Sequence, residues 1–170
     1  IAITLLLSTT LLAYNRSAEE QVVLFRDQAL IVGVINRAKS LAIERFSQDP
    51  RVCAYGVYFS SAVKSFILFE DLQSADREAV FGCRNEDGSY NTNLDYDDGE
   101  KVEVLTLDSR VSMNLEDRNN SLSEVVIVFV PPEISVKSTG DLPIAIKLTT
   151  VRRSLSTIIT VGEAGQISIE

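Results

Sequence analysis

The chain has 170 residues, 45% of them hydrophobic and 24% charged, which is the composition of one globular domain and not of a disordered segment. It contains no histidine, which removes the commonest general base and the usual Ser-His and Cys-His nucleophile pairs. With 16 basic and 24 acidic residues the net charge is −8, so nucleic acid and anionic surfaces are poor partners for the chain as a whole.

The first fourteen residues form an uncharged run, Ile1–Tyr14, and the first charged residue is Arg16. As a helix rising about 1.5 Å per residue, this run spans about 20 Å, which is less than the roughly 30 Å hydrocarbon core of a bilayer. No initiator Met, basic leading segment or small-residue cleavage site accompanies it. We therefore expect the sequence to begin partway into a longer apolar helix.

The helix is predicted to continue to residue 47, because there is no proline and only one glycine between Ala18 and Phe46. Apolar residues recur there at spacings of three, four and seven, which is the period of one helix face. This stripe consists of Leu24, Ile31, Ile35, Ala38 and Ala42, widened on one side by Val23, Leu30, Val34 and Leu41. The helix is thus apolar on all sides over residues 1–15, where lipid or other helices are expected, and then amphipathic along a globular domain.

After Pro50 the sequence changes to the pattern of strands, rich in β-branched and aromatic residues. Strands are expected at 53–59, 65–69, 102–107, 111–115, 124–130, 134–137, 144–150, 156–161 and 166–169. Glu124–Val130 is the most hydrophobic of them and is expected to be central. The segment Asp108-Ser109-Arg110 is expected to join its two flanking strands as a hairpin. The predicted fold class is α+β, a long N-terminal helix packed on a mostly antiparallel β domain of residues 51–170.

These features together resemble the type IV pilin-like proteins, which include the minor pilins and the pseudopilins of type II secretion. Ile1–Tyr14 is similar to the latter part of the hydrophobic segment of that family, and Leu11–Ser17 to the point where its helices leave the membrane. The amphipathic continuation resembles the half of the helix that packs on the globular domain. The closing strand, glycine-containing turn and strand over Ile158–Ile169 resemble the small pseudopilins.

The resemblance implies a structural subunit of an extracellular or periplasmic filament, and no enzyme. In the family, the helix first anchors the subunit in the inner membrane and then packs with the helices of neighbouring subunits in the filament core. Partners would be copies of this chain or other pilin-like subunits, and no nucleic acid is expected. The residues implied in core packing are Ile1, Ile3, Leu5, Leu6, Leu7, Leu11 and Leu12. The alternative is a membrane-tethered β domain that does not polymerise and binds calcium or another ligand.

Cys53 and Cys83 are the two cysteines of the chain, one on the first expected strand and one in a long polar loop. In an exported domain, a disulfide between them would stabilise the fold by roughly 3–4 kcal/mol in the loop-entropy model. Two reduced core thiols are the alternative.

Six acidic residues and no basic residue lie between Glu86 and Glu100. Four of them surround a turn glycine and offer the hard oxygen ligands that calcium prefers, as in a loop that some pseudopilins use for calcium. The four candidate ligands are Asp95, Asp97, Asp98 and Glu100. A solvated acidic loop is the alternative, and the spacing does not fit an EF-hand.

The remaining polar motifs give only weak functional signals. Arg152-Arg153 is expected in a surface turn, because two arginines on an acidic chain make a poor phosphate track. Ser60, Ser61 and Ser154 have no histidine to activate them, and Lys64 does not by its position in the sequence establish a Ser-Lys dyad.

Overall fold

A computed structural model of the chain describes residues 2–45, 52–72, 96–131 and 135–170, excluding the side chains of residues 2–17 and of residue 45. A single helix, α1, spans Ala2–Arg45 and confirms the predicted N-terminal helix. The predicted stripe is also confirmed, since Leu24, Ile31, Ile35 and Ala38 are buried against the rest of the domain. Each buried leucine or isoleucine contributes roughly 1.5–3 kcal/mol relative to leaving it exposed.

Ten strands are found in the described part of the chain, and all their pairings are antiparallel. Sheet 1 has the order β3-β2-β1-β6-β7 and sheet 2 has the order β10-β9-β8-β4-β5. The strands are β1 (Val52–Ser60), β2 (Ser65–Leu72), β3 (Lys101–Thr106), β4 (Val111–Glu116), β5 (Ser121–Leu122), β6 (Glu124–Val130), β7 (Ser135–Ser138), β8 (Ile144–Thr150), β9 (Ser156–Val161) and β10 (Ile167–Ile169).

The core lies between α1 and the inner faces of both sheets. The helix contacts β1, β2 and β6 of sheet 1 and β4, β8 and β9 of sheet 2, so one helix face closes both sheets. Phe59 and Phe66 from sheet 1 stack with ring centroids 5.8 Å apart inside this core. As predicted, β6 is an interior strand: it lies between β1 and β7, and only Glu124 of its residues is exposed.

The predicted hairpin between residues 102–107 and 111–115 is wrong, because β3 pairs with β2 in sheet 1 and β4 pairs with β5 and β8 in sheet 2. The turn itself does form, with the N–H of Val111 donating to the carbonyl of Asp108 at 2.9 Å. It redirects the chain from one sheet to the other because the buried side chains of β4 complete the second layer over α1. Residues 107–110 are therefore a sheet-to-sheet crossover.

Three connections meet at the end of the domain nearest the N-terminal half of α1. They are residues 61–64, the crossover 107–110 and residues 151–155. The carbonyl of Lys64 accepts a hydrogen bond from the N–H of Leu107 at 3.0 Å, and the carbonyl of Arg110 accepts one from the N–H of Val151 at 2.9 Å. We call this the proximal end. At the opposite, distal end, Lys39 of α1 donates to the carbonyl of Gly165 at 3.5 Å, in the predicted turn before β10.

Candidate assembly surface

The helix face opposite the docked stripe is exposed along its whole described length. Along its middle runs a row of uncharged residues at spacings of three or four, and this row is bordered by exposed charged residues, namely Glu19, Arg26, Arg37 and Glu44. The large apolar side chains on it are far from buried, with Val22 67%, Phe25 62% and Ile43 61% exposed. We call this set the outer face; it comprises Ala18, Val22, Phe25, Ala29, Gly33, Asn36, Ser40 and Ile43.

A groove of about 190 Å³ lies beside the middle of the outer face, between α1 and the edge strand β3. Ala29 and Gly33 line it from the helix and Leu105 from the strand, while Arg37 and Glu103 form an ion pair across it. A Cβ atom built on Gly33 would meet nothing within 4 Å. No packing within the described chain therefore requires glycine here, although glycine in a helix interior costs about 0.5–1 kcal/mol relative to alanine.

The predicted filament-core residues lie at the start of the same helix. The structure places Ile3, Leu5, Leu6, Leu7, Leu11 and Leu12 within α1, and their side chains, together with Ile1, fall outside what is described. Their packing therefore stays a prediction. Over the described residues, no helix is both long and apolar enough to cross a bilayer.

A buried carboxylate fastens α1 to the crossover. Asp27 is fully buried on the docked face, where its Oδ2 accepts the N–H of Asp108 at 2.8 Å. Its Oδ1 accepts from Nε and Nη2 of Arg26 at 3.0 and 2.7 Å. These hydrogen bonds satisfy a charge that would otherwise be costly to bury. Sequence reasoning did not identify this residue, but its position between Leu24 and Ile31 on the apolar stripe is a signal that can be seen in the sequence.

The crossover carries a second charged pair on its solvent side. Asp108 accepts hydrogen bonds from the Nε and Nη2 of Arg110 at 2.9 and 3.0 Å and from the backbone N–H of Arg110 at 2.9 Å. These bonds hold the pKa of Asp108 well below its ordinary value, although its partial burial acts in the opposite direction. Asp108 therefore stays ionised in the folded protein well below the pH at which it would be protonated in the unfolded chain.

Because the pKa of Asp108 is lowered by folding, its contribution to stability is complete above about pH 4 and is lost as the pH falls further. We expect Asp108→Asn to lower the free energy of unfolding by about 1 kcal/mol at pH 7, and the gap to the wild type to narrow toward pH 2. Thermal melts across this range measure the gap. Glu163→Gln is the control, since its ion pair with Arg118 spans 3.4 Å between exposed side chains. A gap independent of pH would contradict this assignment.

Glu20 is a further acidic residue on the docked face. It is 7% exposed, and among the described residues its Oε2 has no hydrogen-bond partner. The pKa of Arg110 is raised chiefly by its hydrogen bond to Asp108, and the charges of Glu19 and Glu20 raise it further. The docked face thus carries two buried acids at its proximal end.

The acidic segment is only partly described, since Asp95 lies outside the described residues. Asp97 and Asp98 are exposed, but Glu100 is buried and binds backbone: its Oε1 accepts the N–H of Leu72 at 2.8 Å and its Oε2 that of Asp97 at 3.0 Å. The structure therefore gives Glu100 a role in tying the turn to β2. No cluster of three metal-binding side chains occurs in the described ranges. The calcium site stays a prediction.

The cysteines and the basic pair are placed as follows. Cys53 is buried on β1 and is not a free thiol. Its predicted partner Cys83 lies outside the described residues, so the pairing stays a prediction.

Arg152 and Arg153 are exposed in the turn between β8 and β9, as the sequence predicts. Ser61, like many turn serines, binds backbone, donating to the carbonyl of Ser123 at 2.8 Å.

One long helix that closes two antiparallel sheets with one face and leaves the other face open defines a pseudopilin-like α+β fold. Among solved structures, the chain is similar to the minor pseudopilin EpsH of the type 2 secretion system of Vibrio cholerae. The TM-score is 0.53 at 10% sequence identity, over 87% of this chain and 96% of that chain. No family model and no curated protein matches the sequence. The resemblance seen in the sequence is thus confirmed at the level of the fold.

Proposed function

We propose that this chain is a structural subunit of a pilin-like filament and that it assembles through α1. The observation that carries the proposal is the outer face, which extends uncharged from Ala18 to Ile43, about 38 Å at 1.5 Å per residue. An exposed helix face of a soluble monomer normally carries charged side chains. On α1 the exposed charged side chains border the outer face instead of interrupting it, and Val22 and Phe25 are mostly exposed, so this row is suited to contact other helices.

The predicted apolar segment extends this face toward the N-terminus. Residues such as Leu5, Leu6 and Leu7 can be surrounded first by lipid and then by the helices of neighbouring subunits, because neither environment requires a charge. Ala29 and Gly33 carry no large side chain at the position of the groove. Small residues of this kind allow helices to approach closely. The chemistry of such a subunit is packing, and no catalytic group is needed.

The similarity to a minor pseudopilin favours a secretion filament over a pilus shaft as the setting. Under this proposal the subunit is anchored in the inner membrane before assembly and becomes part of a periplasmic or extracellular filament afterwards. Its partners are copies of itself or other pilin-like subunits. The competing possibility is a membrane-tethered β domain that binds a ligand without polymerising.

Substitution of Gly33 separates assembly from folding. We expect Gly33→Ala to stabilise the isolated protein by about 0.5–1 kcal/mol, because it removes the helix cost of glycine. Gly33→Leu should leave the domain folded, since nothing lies within 4 Å of its Cβ position, but should reduce filament yield at least ten-fold by filling the groove. Electron microscopy of sheared cell-surface material measures the yield, and thermal melting measures the stability.

Gly99→Leu is the matched control, because Gly99 is exposed and its Cβ position is equally open, but it lies outside α1. It should assemble normally. A wild-type chain recovered only as a monodisperse monomer in detergent, with no filaments under any condition, would favour the non-polymerising alternative and contradict the proposal.

A further inference from the structure

The proximal end of the domain forms one continuous surface. The backbone bonds from Leu107 to Lys64 and from Val151 to Arg110 link its three connections, and Nζ of Lys64 donates to the carbonyl of Ser109 at 3.3 Å. We call residues 61–64, 107–110 and 151–155 the proximal surface. Because the connections are bonded to one another, their backbones keep a fixed relative arrangement.

The proximal surface is positive on a chain that is acidic. Its own residues include four basic residues, Lys64, Arg110, Arg152 and Arg153, and one acid, Asp108. One exposed acid, Glu124, lies at its border, because the carbonyl of the preceding Ser123 accepts from Ser61. The side chain of Asp108 is only 16% exposed and is bound by Arg110. Arg110 also lies beside Glu19, so the outward positive charge comes chiefly from Lys64 and from Arg152 in the turn after β8.

Two large apolar side chains project from the same surface. Val63 is 67% exposed and Val151 is 64% exposed, and each stands next to a basic residue in its turn. Exposed apolar side chains beside lysine and arginine suit a membrane interface, where the apolar part enters the headgroup boundary and the charges meet phosphates.

The height of the proximal surface above the apolar segment fits a bilayer. Arg110 lines one surface cavity together with Glu19 and Val22 of α1, so it lies at the level of these residues. The helix rises about 9 Å between Tyr14, where the apolar run ends, and Glu20. The headgroup layer occupies roughly 6 Å beyond the hydrocarbon core, and the usual tilt of membrane helices, about 20°, lowers one side of the domain further.

We propose that, before assembly, the proximal surface rests on the headgroups of an anionic phospholipid bilayer. Val63 and Val151 enter the interface, and Lys64, Arg152 and Arg153 contact lipid phosphates. This inference rests on the proposed function in one respect, the anchoring of α1 in a membrane. It adds that the β domain is held in a defined orientation on the membrane instead of moving freely above it.

The chain contains no tryptophan, so a single introduced tryptophan is a unique fluorescent reporter. The full chain is reconstituted with Val151→Trp or Val63→Trp into vesicles of phosphatidylglycerol and phosphatidylcholine. We expect blue-shifted emission and quenching by brominated lipid at both sites. Val102→Trp is the matched control, because Val102 is an exposed valine at the distal end of β3, and its emission should be unaffected by the vesicles.

Adding Arg152→Gln and Arg153→Gln should weaken the contact about five-fold per arginine, since each basic residue near an anionic surface contributes roughly that factor. Quenching of Val151→Trp should also decline in vesicles of phosphatidylcholine alone. Equal quenching in those neutral vesicles, or equal quenching of Val102→Trp, would overturn the proposal. So would shielding of Val151→Trp in assembled filaments but not on vesicles, which would assign the surface to a neighbouring subunit.

The two proposals fail in different ways. If the chain floats with the vesicles while tryptophan at both proximal sites remains exposed to water, the membrane contact is refuted and the anchored helix is retained. If the chain does not associate with vesicles at all, anchoring and membrane contact are both refuted. The filament yield of the Gly33 variants then decides separately whether α1 mediates assembly.

Discussion

Replacing Leu6 by aspartate is expected to abolish filament assembly while the β domain remains folded. Leu6 lies in the first part of α1, within the uncharged run that ends at Tyr14. A carboxylate near the middle of a membrane helix costs about 2.5–3.5 kcal/mol on insertion scales, and a bundle of apolar helices offers it no counter-charge. Electron microscopy of the sheared fraction should show no filaments, and Leu11→Asp should behave in the same way.

Leu6→Met is the control for this substitution, because it keeps an apolar side chain of similar volume and should assemble. The melting temperature of the β domain should be unchanged in Leu6→Asp, since the residue precedes the segment of α1 that docks on the sheets. Normal filaments from Leu6→Asp would refute assembly through this part of the helix. A loss of filaments together with a loss of folding would place Leu6 in the core of the domain, which also contradicts the mechanism.

Replacing Asp27 by alanine is expected to lower the free energy of unfolding by about 2–3 kcal/mol. The substitution leaves the N–H of Asp108 without its acceptor and removes a charge-assisted bond from Arg26. For a chain of this size, that loss corresponds to a decrease in melting temperature of about 5–10 °C. Circular dichroism melts at neutral pH measure it.

Two further variants test the role of Asp27. Asp27→Asn keeps one oxygen to accept from Asp108 but cannot form the ion pair with Arg26, so we expect a smaller loss than for alanine. Asp98→Ala removes an exposed acid whose bond to Tyr96 is long, 3.4 Å, and should change stability by less than about 0.5 kcal/mol. Equal stability of Asp27→Ala and the wild type would mean that the buried bonds offset no more than the cost of burying the carboxylate.

The helix and most strands could be predicted from the sequence because their signals are local. The spacing of Leu24, Ile31 and Ile35 alone sets the docked face, and the turn before β10 is set by Gly162 and Gly165, the latter with a φ of +70°. These patterns need no knowledge of what the elements contact. The interior position of β6, next to the central strand β1, follows in the same way from its continuous hydrophobicity.

The features that escaped prediction depend on distant partners. The crossover has the local chemistry of a hairpin turn, and only the pairing of β4 with β8, more than thirty residues later, decides that it changes sheets. Asp27 looks like an interruption of the apolar stripe until its acceptor role toward Asp108 is seen. Glu100 was grouped with its acidic neighbours as a possible ligand, but its bonds to the backbone of β2 depend on the folded turn.

The outer face could be predicted only in part, because it depends both on a local pattern and on distant elements. Its lack of charge is visible in the sequence once the register of the helix is known, but whether it is covered by the domain depends on where the sheets stop. The structure shows that they do not reach it. For the same reason the positive proximal surface was not foreseen, because its basic residues come from three connections that are far apart in the sequence.

The order in which the strands alternate between sheets has a consequence for biogenesis. The chain passes to sheet 2 after β3, returns to sheet 1 after β5 and leaves again after β7. Sheet 1 therefore cannot be finished by a growing chain until β6 and β7 have been made, and sheet 2 cannot be finished until β8, β9 and β10 have been made. Strand β4 has to wait for its main partner, β8. We expect the two-sheet domain to fold only after nearly all of it has been made, and under the proposed function this would keep a half-built subunit out of a filament.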